Sequence, residues 1–424
     1  MMMSILHDAR MRVSAVLQEI ERLKQGEFPY DYPCNALVII ENRFKWHQST
    51  LQKASESTPR DIIHNVCRES LRELSVYLPI LGFLLRSTNV RNAFESYDPL
   101  QRLTNKVMGT DAKLIISSEW EISPFVYRHS TGPLCGFVLI GIPAPESSNP
   151  LLLPLAGHEL GHSVWLHERF SEKYAKSIEE GIQNELLNNK WNDFIAINKQ
   201  YSKEDIKSGN MFARQALLPA YTWAMLQVEE MFCDFFGIRL FAESFYYAFA
   251  YLLSPGISGQ RSAIHPNIKR RVSHHVQAAK VMGINVGVEY ESFFEKEIES
   301  TNPSTALLLS LADEVSASFA DELINFAKDF ANQKSVPERN HENVENICKH
   351  FHNYVVPIKN YASLADIINA GWKCNMNENL WDGISQIKGV DEKDTRRNRD
   401  RILRDIILKS MEIAEINERL ERLT

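Results

Sequence analysis

The stretch LLLPLAGHELGHSVWL, residues 151–166, decides how this chain is read, because two histidines and a glutamate sit inside an otherwise apolar run. His158 and His162 are four positions apart. On a helix their rings lie on one face, a turn from each other, where they can share a metal ion. Glu159, one position on, is placed to act as the base toward a water on that metal. Burying three such groups without partners would cost about 1 to 3 kcal/mol each. A bound metal is therefore a better account than a pair of hydrogen-bonded core histidines. The preceding loop PAPESSNP, 143–150, carries a helix start, with Asn149 as cap and Pro150 in the first helical position.

A catalytic zinc site needs a third protein ligand and keeps its fourth position for water. The segment VEEMFCDFFG, 228–237, offers that ligand. Glu230 and Asp234 are also four apart, among aromatic and sulfur side chains where unpaired carboxylates would be costly. We read Glu230 as the ligand and Asp234 as the acceptor that holds the other ring nitrogen of a zinc histidine. Glu229 is the rival ligand, about 100° round the helix and outside the four-residue relation to Asp234.

Working outward, the fold reads as mainly α (α+β). Residues 1–110 form a helical N-terminal region, with apolar positions such as Leu6, Val13, Leu17 and Ile20, then Ile62, Val66, Leu71 and Leu74, at helical spacing. Pro79 and Gly82 are expected to end or kink the second of these helices, and CNALVIIENRF, 34–44, reads equally as strand or helix. Residues 111–290 form the core. Its start, LIISSEWEI (114–122) and GFVLIGI (136–142), reads as strands bounded by Pro124, the STGP turn at 130–133 and Pro143. A polar, helix-compatible stretch from 168 to about 220 is interrupted near Ser208–Asn210 and reads as a lid over the site. An apolar helical stretch is expected from Trp223 to about Leu253. Residues 291–424 form a helical C-terminal region. Its tail carries Ile406, Ile413, Ile416, Leu420 and Leu423 among charges, which suits a docked helix or a short coiled coil giving an oligomer.

Composition narrows the function classes. With 424 residues, 44% hydrophobic and 24% charged, the chain is that of a globular protein. A net charge of -7 gives no bulk attraction to nucleic acid, and the basic runs KRR (269–271) and RRNRDR (396–401) are short. Apolar runs are too short to span a bilayer, and charges at Asp8, Arg10 and Arg12 argue against a signal peptide. Six scattered cysteines without a CxxC pair fit reduced thiols in a cytoplasm.

HExxH followed downstream by ExxxD resembles the gluzincin metallopeptidases, the group that includes thermolysin and the prenyl-processing and heat-shock membrane peptidases. The resemblance covers roughly residues 111–290, with a longer gap between His162 and Glu230 than in the thermolysin type. It implies a zincin-like core with His158, His162 and Glu230 on Zn2+, Glu159 as general base and Asp234 behind a histidine. It also implies that an edge strand, here 136–142, aligns the substrate backbone. The segment AIHPNIKRRV, 263–272, is similar to the HisPro segment of the membrane members. That similarity implies His265 as a donor to the tetrahedral intermediate and Arg270 as electrostatic support.

The other histidines point elsewhere. Position 168 is Glu, which excludes the metzincin pattern, and His167 reads as a surface residue. His274 and His275 are adjacent and so point to two faces, and His350 and His352 form no metal pair. The expected function is hydrolysis of peptide bonds in a protein or peptide substrate. The alternative is a helical interaction protein with a structural or inactive zinc site.

Overall fold

The computed structural model of the protein describes residues 2–55, 57–90, 93–127, 134–255, 259–357, 363–377 and 392–423; the STGP turn lies outside the described residues. Among the described residues the chain is mainly helical with one three-stranded sheet. It forms two compact units, Met1–Asn105 with Gly109–Ser148, and Lys106–Met108 with Asn149–Thr424. The sheet thus groups with the N-terminal helices, and residues 291–424 group with the HELGH helix, whereas the sequence reading cuts the chain at 110 and 290.

In the first unit, helices α1 (Met2–Lys24), α2 (Tyr32–Lys53) and α3 (Arg60–Arg86) share a core that includes Val13, Ile20, Ile40, Phe44, Tyr77 and Leu81; α4 (Ala93–Met108) follows. CNALVIIENRF is helical, burying Ala36, Leu37, Ile40 and Phe44 at helical spacing. Helix α3 does not end at Pro79. Ile80, Leu81, Phe83 and Leu84 continue its buried face beyond the proline, and that packing outweighs the hydrogen bond the ring removes. Strand β1 (Lys113–Glu119) runs parallel to β3 (Phe137–Pro143), and β2 (Phe125–Val126) pairs antiparallel with β3. The strand expected at an edge is therefore the middle one. Its residues, FVLIGIP, are all buried, as suits a strand with neighbours on both sides.

The second unit starts with a 3-10 turn, Pro150–Leu152, in which the Asn149 side chain accepts from Leu151 N at 3.3 Å. Helices α5 (Leu153–His167), α6 (Phe170–Glu185), α7 (Trp191–Ile197), α8 (Lys203–Lys207), α9 (Met211–Phe241), α10 (Glu243–Leu253), α11 (Ile268–Met282), α12 (Pro303–Ala317), α13 (Ala320–Gln333), α14 (His341–His352), α15 (Leu364–Met376) and α16 (Glu392–Leu423) follow. Helix α9 is the hub, packed by α5, α6, α11, α12 and α13. That position explains why its second half is buried on every side. The first part of the expected lid is a docked helix, since α6 buries Phe170, Tyr174, Ile178 and Ile182 against α9 and α12. Helix α16 packs on α15, with Ile407 seated against Gly371. Its buried stripe is Leu403, Ile406, Ile407, Leu408 and Met411, while Ile416 and Leu420 are exposed. No helix among the described residues is long and apolar enough to cross a membrane.

The run from Trp223 to Leu253 is two helices, broken at Ala242, whose φ of 50° and ψ of -130° no helix tolerates. Asn369 on α15 satisfies both sides of the break. Its Oδ1 accepts from Ser244 N at 2.9 Å, and its Nδ2 donates to Phe241 O at 2.8 Å. Replacing Asn369 by Ala takes the acceptor from buried Ser244 N and one of two donors from Phe241 O, which keeps Ser244 Oγ at 2.6 Å. We expect a loss of about 1 to 3 kcal/mol, read as a lower denaturant midpoint with unchanged slope.

Candidate metal centre

The site exists because α5 and α9 touch almost backbone to backbone. A Cβ on Gly161 would stand 2.9 Å from Cys233 Cα, and one on Gly157 would stand 2.7 Å from the Phe241 ring. The first clash is with main chain, so no side-chain rotation relieves it. The glycine between the two histidines of HELGH is thus what lets Glu230 and Asp234 reach them.

His158, His162 and Glu230 are all buried, and one ligand atom from each lies within 4.8 Å of the other two. His158 Nε2 is 3.4 Å from Glu230 Oε2, and His162 Nε2 is 3.4 Å from Glu230 Oε1. These three residues could hold a metal ion. The opposite ring nitrogens are held by other carboxylates. His158 Nδ1 donates to Asp234 Oδ1 at 2.9 Å, and His162 Nδ1 donates to Glu229 Oε1 at 2.7 Å. Each imidazole is fixed on its Nδ1 side, so both Nε2 atoms turn to Glu230. Glu229, the rival ligand, is instead the partner that orients His162. Cys233 Sγ lies 3.3 Å from His162 Nδ1, on that same outer side.

Helix α11 supplies the support for Asp234. Arg271 holds it in a fork, Nε to Oδ2 at 2.6 Å and Nη2 to Oδ1 at 2.8 Å, and reaches Glu230 Oε2 at 3.6 Å. The supporting arginine is therefore Arg271 and not Arg270. One position along a helix is a 100° turn, which aims Arg270 at α12, where it donates to Asp313 O at 2.7 Å and Glu314 Oε1 at 2.8 Å. His275, one turn after Arg271, lies with Nε2 3.0 Å from Asp234 Oδ2, and its Nδ1 is 3.0 Å from the Tyr290 hydroxyl. The adjacent pair does point to two faces, and one of them is the face of the site. The signal that would have found Arg271 and His275 is their own four-residue spacing. His265 joins the group, its Nε2 3.4 Å from Glu230 Oε2, while His167 is exposed at the end of α5.

Charge decides what the site demands. Glu159, Glu229, Glu230 and Asp234 are 8%, 6%, 1% and 1% exposed. Arg271 is the fixed cation touching two of them. Burial alone would raise the acids, yet the imidazoles hold Glu230, and Arg271 and His275 hold Asp234, well below the usual carboxylate range. Desolvation pulls His158 down, but Asp234 and Glu230 overcome it and lift its pKa to about 10. A cation bound among these buried carboxylates would meet favourable charge.

Set against protein-family profiles, curated proteins and solved structures, the chain matches none. The site therefore stands on its own residues.

A raised pKa of about 10 means that His158 keeps its proton throughout the neutral range, and a metal must expel it. Titrated with Zn2+, the metal-free protein should bind about tenfold more weakly per pH unit as pH falls from about 8 to about 6. Calorimetry in buffers of different ionisation enthalpy should show about one proton released per ion. Affinity that does not change with pH would contradict the His158 assignment.

Proposed function

We propose that this chain is a zinc-dependent peptidase with a zincin-like core, cutting peptide bonds in a protein or peptide substrate. The observation that carries the reading is the two imidazoles held at Nδ1 by Asp234 and Glu229 with both Nε2 atoms converging on Glu230. Ligands of tetrahedral zinc at about 2.0 to 2.2 Å stand about 3.3 to 3.6 Å apart. His158 Nε2 to Glu230 Oε2 and His162 Nε2 to Glu230 Oε1, each 3.4 Å, are of that size, and one donor atom from each of the three residues lies within 4.8 Å of the other two. Two nitrogens and one carboxylate oxygen are the donor set of a catalytic centre rather than a structural one, which takes four protein ligands. Cys233, the nearby sulfur, faces the Nδ1 side and does not supply a fourth. HExxH with ExxxD adds the likeness to gluzincins. A cytoplasmic location remains part of the proposal and rests on six free thiols.

Zinc, when bound, supplies Lewis acidity toward water and the scissile carbonyl. Glu159 takes the proton of the attacking water and passes it to the leaving amine. His265, beside Glu230, donates from Nε2 to the carbonyl oxygen as it gains charge. Ser262 Oγ lies 3.2 Å from His265 Nδ1 and favours the Nε2-H tautomer. Asp234 and Glu229 keep the imidazoles aimed, and Arg271 holds the Asp234 carboxylate in place.

Purified protein should contain about one zinc per chain by metal analysis. Glu159→Gln should lower cleavage of a peptide library by about 10³-fold or more while zinc stays bound, an effect of the size expected for a general base with its metal-activated water. Full activity in that variant would refute the mechanism. Glu229→Gln and Asp234→Asn should each weaken zinc binding about 10- to 100-fold without abolishing it, as partners behind the ligands do. Competition with a chelator measures this. Loss as complete as in His158→Ala would make either residue a ligand instead.

A further inference from the structure

We propose that Asp313 and Arg261 are positioning residues that hold His265 in place over the site; this rests on the peptidase reading above. The turn carrying His265 is folded round a buried guanidinium. Arg261 Nη1 donates to Ser262 O and, at 2.7 Å, to His265 O, while Nη2 donates to Asp313 Oδ1. The Arg261 side chain is 1% exposed and that of Asp313 15%. One side of the turn is pinned to the chain beyond, since Arg261 N donates to Ile298 O at 3.1 Å and Ile298 N to Gly259 O at 2.7 Å.

The same turn of α12 also grips two of the helices that carry the rest of the site, α9 and α11. Ser316 Oγ donates to Gln227 Oε1 at 2.7 Å, three residues before Glu230 on α9. Arg270, next to Arg271 on α11, donates to Asp313 O. Helix α12 thus braces the segments bearing Glu230, Arg271 and His265 against one another. The His265 segment is the one with no helix of its own, so it depends on the brace for its geometry. A buried ion pair adds little net stability over apolar packing of the same volume. What it does supply is direction: a planar fork that binds one carboxylate and two carbonyls admits a single path for residues 261–265. A shift of about 1 Å in a transition-state donor costs on the order of 100-fold in rate. The Asp313–Arg261 pair therefore acts on kcat, through His265, whereas the proposed zinc ligands are carried by α5 and α9.

Two measurements test this. Deuterium exchange of the zinc-loaded protein should show the amides of 261–265 exchanging about tenfold faster or more in Asp313→Asn, with those of α5 and α9 unchanged. Unaltered exchange in that turn overturns the proposal. In peptide cleavage, Asp313→Asn should lower kcat about 10- to 100-fold, with KM within about twofold and zinc content unchanged. Combined with His265→Ala it should lower kcat no further than His265→Ala alone. Additive losses would make Asp313 merely structural and overturn the proposal. Arg261→Lys, which keeps the charge and gives up the fork, should fall between the wild type and Asp313→Asn, and it replaces that variant if Asp313→Asn does not fold. A zinc-loaded wild type that cuts no peptide refutes the peptidase reading, and with it the catalytic role of His265. The exchange result still shows separately whether Asp313 fixes the turn.

Discussion

Four carboxylates are packed out of water where helices α5 and α9 cross, and most of what is distinctive in the second unit follows from having to satisfy them. Glu159 lies on α5, and Glu229, Glu230 and Asp234 lie within two turns of α9. Leaving such groups unpaired in an apolar interior would cost more than the stability of a typical domain. The imidazoles of His158 and His162, the guanidinium of Arg271 and the ring of His275 answer three of them, Glu229, Glu230 and Asp234, at 2.6 to 3.4 Å. The crossing tolerates this density of charge only because Gly161 and Gly157 leave no side chain between the helices.

The arrangement is layered. Innermost, two Nε2 atoms and a carboxylate face one another. Behind them, Asp234 and Glu229 fix each ring by its other nitrogen, and behind Asp234 stand Arg271 and His275, the latter backed by Tyr290. Tyr246 adds a bond from its hydroxyl to His275 O at 3.0 Å. Each layer removes a rotational freedom from the one inside it. That is how a helical scaffold, whose long side chains are otherwise mobile, presents ligands in a single orientation.

Several expectations failed, and for related reasons. Pro79 and Gly82 read as an end or a kink, and Trp223 to about Leu253 as one apolar helical stretch, because local propensity is all that one sequence displays. In the folded chain the buried face of α3 carries the helix past its proline, and Asn369, more than a hundred residues downstream, stabilises the turn at Ala242. GFVLIGI reads as an edge strand only through the gluzincin likeness. The two-residue strand Phe125–Val126 that makes it central is too short to carry a periodic signal. Arg270 reads as the supporting arginine because the likeness places an arginine there without the helix phase that separates it from Arg271.

Periodicity and residue chemistry by themselves determined that His158, Glu159 and His162 share a helix, with the two imidazoles on one face, that Glu230 and Asp234 share a face of another, and that most of the chain is helical. Those facts live within one turn of helix, where spacing in sequence is spacing in space. Only the tertiary structure decided which carboxylate faces which nitrogen, that Glu229 orients His162, that Arg271 and His275 complete the surroundings of Asp234, and that α12 braces the turn bearing His265. Such choices depend on how separate helices are rotated about their own axes and against one another. Long-range packing sets that rotation, and no pattern local to either segment encodes it.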